Sequence, residues 1–251
     1  MEDTTHELWL AELHPAERPR YFDGQLLTAK DFQEEQDYWR RKLQLHNRFG
    51  LGRGVVCGLG VTALVTAQES GVRVSAGLAL DGWGREIVVP TDIDIVPMRL
   101  FDGCDPLSPS EDQLPASVHI SVSYRESTSG RQPVGIGGTE QGAEQSAAGR
   151  IVEGYCVRVR EGPAPEVSTI PDAEVLKLVR SGRLHDALCL LTASACQTPS
   201  ADPSVVLANV AMGKDGSVTV DACGPRAVVA TNRLLTRLAN SIALAGPSQD
   251  A

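Results

Sequence analysis

Residues 18–61 read RPRYFDGQLLTAKDFQEEQDYWRRKLQLHNRFGLGRGVVCGLGV, a turn, a long helical segment and a glycine-punctuated approach to a strand. Asp23-Gly24 is a typical turn dipeptide, Thr28 is placed as a helix N-cap, and Asp31 three residues later completes a capping box. No Gly or Pro follows before Gly50. We therefore predict a helix of about 22 residues, about 33 Å long.

The predicted helix carries two apolar faces. One face has Phe32, Gln36, Trp39, Leu43 and His46 in steps of four and three, and a second has Tyr38, Leu45 and Phe49. Such a stripe packs on the chain's own sheet or forms a seam between copies. We expect the intramolecular packing, because a seam of two to three heptads would be interrupted by Gln36 and His46. The intermolecular seam is the alternative.

Aromatic residues are concentrated in this stretch. They make up 4% of the chain, yet six of the eleven lie between positions 21 and 49. Large aromatic side chains dominate the energetics of cores and interfaces. The candidate interface residues are Tyr21, Phe22, Phe32, Tyr38, Trp39, Leu43 and Phe49.

Composition narrows the possible partners and location. The 251 residues carry a formal charge of −9, with a pI near 5.1. An acidic chain without a basic cluster is a poor partner for nucleic acid, because binding to phosphates needs a basic field. No apolar run reaches the length of a membrane span, and the first 15 residues are acidic, unlike a secretory signal. We expect a protein that is cytoplasmic when made.

The coarse pattern predicts an α+β fold, mainly antiparallel β in two small blocks, with a long N-terminal helix and a C-terminal amphipathic helix. We divide the chain into an N-terminal arm (1–17), the helix with a small unit of four to five strands (18–100), a connector (101–115) and a second block (116–251). Residues 127–150 are rich in Gly, Ser and Gln, which predicts a mobile loop. The second block is expected to contain short helices near 171–179 and 184–194 and a last hairpin around Lys214-Asp215-Gly216, with a terminal helix over 232–245.

No catalytic or metal-binding signature is evident. The five histidines lie outside known catalytic motifs, and His119 in VHISV is typical of a satisfied strand histidine. The six cysteines form no CxxC pair, so we expect buried free thiols and neither a cofactor nor a metal. The weak metal candidates are His185, Cys189 and Cys196, since His185 and Cys189 share one face of a predicted helix.

Three segments carry a resemblance to a known family. They are YFDGQLLTAKDFQEEQDYWRRKLQLHNR, GVVCGLGV and VRVSAGLALDGWGREIVVP, which lie between residues 18 and 90. They resemble an uncharacterised bacterial family associated with contractile injection systems, the phage-tail-like machines. A looser form of the pattern is similar to the start of some baseplate and tail-fibre proteins. A sparser match covers VVLANVAMGKDGSVTVDACGPRAVVATNRLL.

The resemblance implies a structural or adaptor subunit of a tail-like particle, at the baseplate or its periphery, and it carries no catalytic residue. We expect the protein to be a homo-oligomer that contacts other subunits of the assembly and is not an enzyme. The alternative is a carbohydrate- or surface-binding β module. For that module Trp83, in the turn Asp81-Gly82-Trp83-Gly84, would be a stacking platform, although a cap on the hairpin's own core explains this residue better.

Overall fold

A computed structural model describes residues 15–65, 69–100, 115–133, 146–165, 173–193, 196, 201–213 and 215–245. The N-terminal helix α1 (Ala29–His46) begins after Thr28, as predicted, and continues into a π-helical turn, Asn47–Leu51. Antiparallel sheets and three further helices follow in the described residues. The predicted α+β class, with a long N-terminal helix, is confirmed.

The first β block has six strands in two three-stranded sheets. They are β1 (Gly54–Gly58), β2 (Val61–Val65), β3 (Ser70–Val74), β4 (Gly77–Leu80), β5 (Glu86–Val89) and β6 (Ile93–Ile95). The antiparallel order is β1-β4-β5 in one sheet and β2-β3-β6 in the other. The expected unit of four to five strands is therefore wrong, because the chain leaves one sheet after β1 and enters the other at β2, which gives two short strands there.

Gly58 and Leu59 cause this break. Both have positive φ angles, 64° and 54°, which bend the chain out of one sheet and into the other. A Cβ on Gly58 would lie 2.0 Å from the carbonyl oxygen of Ala76, so only glycine fits. Leu59 is completely buried, and its carbonyl accepts a hydrogen bond from Arg226.

The second β block is a four-stranded antiparallel sheet with the order β10-β9-β7-β8. The strands are β7 (Ser117–Pro133), β8 (Ser146–Glu161), β9 (Val205–Met212) and β10 (Val218–Asp221). The predicted loop over 127–150 is wrong at both ends, since Thr128 pairs with Ile151 and Arg131 with Ala148. Residues 127–131 are exposed, so their polar composition reflects a solvated hairpin. The middle of that loop, 134–145, lies outside the described residues.

One hydrophobic core joins the two blocks. Its fully buried members include Val72 and Ile87 from the first block and Ile120, Val159 and Leu207 from the second. The connector predicted at 101–115 therefore does not divide the protein into two units with separate cores. Residues 1–14 of the predicted arm and 101–114 of the predicted connector lie outside the described residues.

The three later helices match their predicted positions. They are α2 (Ala173–Arg180), α3 (Leu184–Thr192) and α4 (Asn232–Ala245), and the hairpin between β9 and β10 is also confirmed. Gly182, with φ of 77°, separates α2 from α3. Within the described ranges, no helix combines the length and apolarity needed to cross a membrane.

Candidate protein-binding site

Local hydrogen bonds fix the start of α1. The Asp31 carboxylate accepts from the backbone N–H of Thr28 at 2.8 Å and from its hydroxyl at 2.6 Å, and these bonds lower the pKa of Asp31. Before the helix, Gln25 N–H donates to the Phe22 carbonyl at 3.2 Å and closes the Asp23-Gly24 turn. The Tyr21 hydroxyl donates to Glu35 at 2.9 Å, so the turn folds back along the helix.

The face of α1 that contacts the two β blocks, together called the body, is polar. Arg40 lies 2.7 Å from Asp37 on the helix and 3.6 Å from Glu126 on β7. Gln44 is the buried residue of α1, and Asn47 in the π-helical turn is also buried. Asn47 Nδ2 donates to the Gly84 carbonyl at 3.0 Å, across the base of the helix. Polar contacts therefore attach α1 to the body.

The turn between β4 and β5 is shaped to receive the end of α1. A Cβ on Gly84 would lie 2.2 Å from the Gln44 carbonyl oxygen, and Gly84 has a φ of 82°. Asp81 stabilises this turn, because its buried carboxylate accepts hydrogen bonds from the backbone N–H groups of Trp83 and Arg85 at 2.9 and 2.8 Å. The Arg85 guanidinium also donates to Asp81, at 2.7 Å.

The contacts of Arg85 extend to the sheet of the second β block. The Arg85 guanidinium carbon lies 4.9 Å from the centroid of the Tyr124 ring, a cation–π contact. The Tyr124 hydroxyl donates to Glu126 at 2.8 Å, and Glu126 also faces Arg40 of α1. Burial, together with the bond to Glu126, raises the pKa of Tyr124. Polar contacts thus fix α1 to both β blocks.

The opposite face of α1 is apolar and faces solvent. Phe32, Trp39 and Leu43 are 51%, 60% and 52% exposed. The expected packing of this stripe on the chain's own sheet is therefore wrong, because the polar face of the helix takes that place. We define the outer surface of α1 by the exposed large apolar residues of the helix and of the segments that flank it, namely Tyr21, Phe22, Leu26, Leu27, Phe32, Trp39, Leu43, Leu45, Phe49 and Leu51.

The outer surface contains most of the residues predicted for an interface. Of those seven, only Tyr38 is half-buried, and its ring meets that of Trp39 edge-on at 5.2 Å between centroids. Sequence reasoning missed Leu26, which is 86% exposed, together with Leu27, Leu45 and Leu51. Leu26 and Leu27 could have been found from the sequence, because two adjacent leucines between a turn dipeptide and a helix N-cap indicate an apolar surface before the helix.

The metal candidates come together only in part. Cys189 Sγ lies 3.6 Å from His185 Nε2 on α3, as the four-residue spacing predicts. Cys196 does not complete a site with them, and no group of three or more such side chains in the described part of the chain is arranged to hold a metal.

The expectation of buried free thiols is wrong for the five described cysteines. Cys57, Cys189, Cys196 and Cys223 are free and exposed, whereas the buried Cys156 is disulfide-bonded.

A cleft of about 670 Å³ lies beside the ends of β7 and β8. His119 lines it, buried, with Nδ1 3.0 Å from the Gly162 carbonyl, which supports the structural interpretation of this histidine. Asp202 also lines the cleft and is paired with Arg160 and Arg158. Partial burial raises the pKa of Asp202, but hydrogen bonds from Arg160 and Ser204 outweigh it and bring the pKa to about 2. These polar groups of the cleft hold one another in place.

Trp83 is buried against the body, so it does not offer a sugar-stacking platform. Further apolar side chains are exposed on the later helices, at Val179, Leu184, Leu188 and Leu191 on the α2–α3 hairpin and at Leu234, Leu235 and Leu238 on α4. Among the residues that the structure describes, apolar helical faces are thus exposed in three places.

In comparisons with known proteins, neither a protein-family profile nor a curated protein sequence matches this chain.

Proposed function

We propose that the protein is a structural or adaptor subunit of a contractile injection system, a phage-tail-like particle, at the baseplate or its periphery. It acts through protein–protein contacts, and it has other subunits of the particle, including copies of itself, as partners. The observation that carries this proposal is the outer surface of α1, with ten large apolar side chains exposed on the helix and the segments that flank it, between residues 21 and 51. Large apolar patches on the surface of a soluble protein are typical of protein-binding sites.

The attachment of α1 supports a binding role. Asn47, Arg40 and the close approach at Gly84 fix the helix to the body through its polar face. An apolar face held in place before binding loses little conformational entropy when a partner covers it. The aromatic anchors Phe32 and Trp39 are of the residue types that commonly dominate binding energy.

The other exposed faces fit a subunit with several neighbours. The α2–α3 hairpin and α4 each show leucines to solvent and bury few residues of their own. A subunit inside a particle meets more than one partner, and each contact needs a surface. The assignment to a contractile particle itself rests on the family resemblance of residues 18–90.

The experiment is co-sedimentation with contractile particles from a strain that produces the protein. Replacing Trp39 and Leu43 with Asp places two charges on the outer surface of α1, and we expect a loss of particle binding of at least tenfold, since charges are depleted in interface cores. Both side chains are exposed, so the variant should keep the wild-type circular dichroism spectrum and a cooperative thermal transition.

Val65→Asp is the control, because Val65 is 66% exposed on β2, outside the apolar helical faces, and so matches the exposure of Trp39. We expect it to keep binding through α1. Particle binding by a folded Trp39→Asp/Leu43→Asp variant at the wild-type level would refute the docking role of α1. A wild-type protein that never co-sediments would refute the assignment to the particle.

A further inference from the structure

We infer that the outer surface of α1 pairs with the same surface of a second copy, with the two helices antiparallel about a two-fold axis near residues 38 and 39. The inference rests on the proposed function, because it takes this surface to be a protein interface. It adds the identity of the occupant and the direction of the pairing. A two-fold contact is isologous, so one patch must be complementary to itself.

The charges of α1 are divided along its length. Its acidic residues, Asp31, Glu34, Glu35 and Asp37, lie in the first half, and its arginines and Lys42 lie at 40–42 in the second. Lys30 is the exception, and it lies 3.5 Å from Glu34 of its own chain. Antiparallel pairing sets the acidic half of each helix beside the basic half of the other, whereas parallel pairing sets like charges side by side.

Glu35 and Lys42 form the specific ion pair that antiparallel pairing predicts between the two copies. Glu35 and Lys42 are seven residues apart, so they flank the Phe32–Trp39–Leu43 stripe on the same side, about 10.5 Å apart along the helix. In the antiparallel register, Glu35 of each copy faces Lys42 of the other. Arg40, the base on the other flank, is already engaged by Asp37 and Glu126 of its own chain.

The apolar ends match in the same register. Leu26 and Leu27 precede the helix, whereas Phe49 and Leu51 follow it, and all four are exposed. Antiparallel pairing brings the leading pair of one copy to the trailing pair of the other, while Trp39 meets its counterpart near the axis. The Phe32–Trp39–Leu43 stripe and the apolar pairs at both ends of each copy are thus covered, and the contact extends along the whole helix.

Charge reversal tests the pairing through the dissociation constant of self-association, measured by sedimentation equilibrium. Glu35→Lys sets two lysines against each other at both symmetric contacts, and Lys42→Glu sets two glutamates against each other there. We expect each single variant to raise the dissociation constant about tenfold or more, since like charges then oppose each other twice in every dimer. An equimolar mixture of the two variants restores attractive pairs in the mixed dimer, so it should associate within about threefold of wild type.

The double variant Glu35→Lys/Lys42→Glu should likewise self-associate as wild type does, which separates charge effects from loss of the Tyr21–Glu35 hydrogen bond. Lys177→Glu makes the same charge change at an exposed position on α2 and should leave the dissociation constant unchanged. Failure of both the mixture and the double variant to recover would overturn the antiparallel pairing, because residue 42 meets residue 35 only in that direction.

The same measurements separate this inference from the proposed function. A wild-type protein that remains monomeric, yet loses particle binding on Trp39→Asp/Leu43→Asp substitution, would overturn self-pairing and leave the docking role intact. Loss of self-association in the single charge variants, with recovery in the mixture, supports the pairing even if no particle binds.

Discussion

At Gly84 the backbone of the β4–β5 turn meets the Gln44 carbonyl of α1, with no room for a side chain. Gly84→Ala should lower the free energy of unfolding by about 2–4 kcal/mol, since it adds a clash to the strain of a positive φ. Gly162→Ala is the matched control, because Gly162 has nearly the same φ, 80°, but nothing within 4 Å of its Cβ position. Gly162→Ala should lower the free energy of unfolding by about 1 kcal/mol. Urea denaturation measures both, and equal costs would refute the close approach.

Asp202 should contribute to the acid stability of the protein. Its folded-state pKa of about 2 lies below the ordinary value of 3.8, so the stabilisation is complete above pH 4 and is lost as the pH falls towards 2. Thermal melts of wild type and Asp202→Asn should therefore differ most above pH 4 and converge between pH 4 and pH 2. A difference that stays constant across that interval would contradict the pairing with Arg160.

Residue-scale features were predictable when their causes are local. The Thr28–Asp31 capping box and the Asp81-Gly82 turn depend on neighbours within a few positions, and both are confirmed. The kink at Gly58-Leu59 depends on Ala76 and Arg226, and the fit at Gly84 depends on Gln44. No local pattern carries those distant contacts.

At the scale of elements, the orientation of α1 could not be predicted from its periodicity. The stripe of Phe32, Trp39 and Leu43 was visible, but periodicity does not say whether that stripe faces the body or solvent. The salt bridge from Arg40 to Glu126 and the hydrogen bond from Asn47 to Gly84 set the orientation, and both join residues far apart in the chain. The apolar stripe is left outside.

The terminal helix α4 should be dispensable for folding. Its described side chains are exposed throughout, whereas the segment before it contributes the buried Val229 and the Arg226 hydrogen bonds to the core. Removal of residues 232–251 should therefore shift the melting temperature by less than about 4 °C, the effect of roughly 1 kcal/mol in a domain of this size. Circular dichroism would check this expectation. Loss of the cooperative transition would show that α4 belongs to the core.

At the scale of the whole molecule, one core organises three sheets, while apolar helical faces remain outside it. The α+β class followed from alternation and turn residues, because these determine strands and helices locally. The sequence pattern did not predict that both β blocks share one core, since this depends on how strands that are distant in the chain pack together. The outward stripe on α1 is the feature from which we infer assembly.

The most direct measurement is the mass in solution of the wild-type protein and of Trp39→Asp/Leu43→Asp, by sedimentation velocity. A single chain has a mass of 26.8 kDa. We predict that the wild type sediments as a multiple of this mass and that the folded variant sediments as the single chain, because two charges at the centre of the outer surface of α1 prevent its burial. The same mass for both proteins would contradict the claim that this surface holds subunits together.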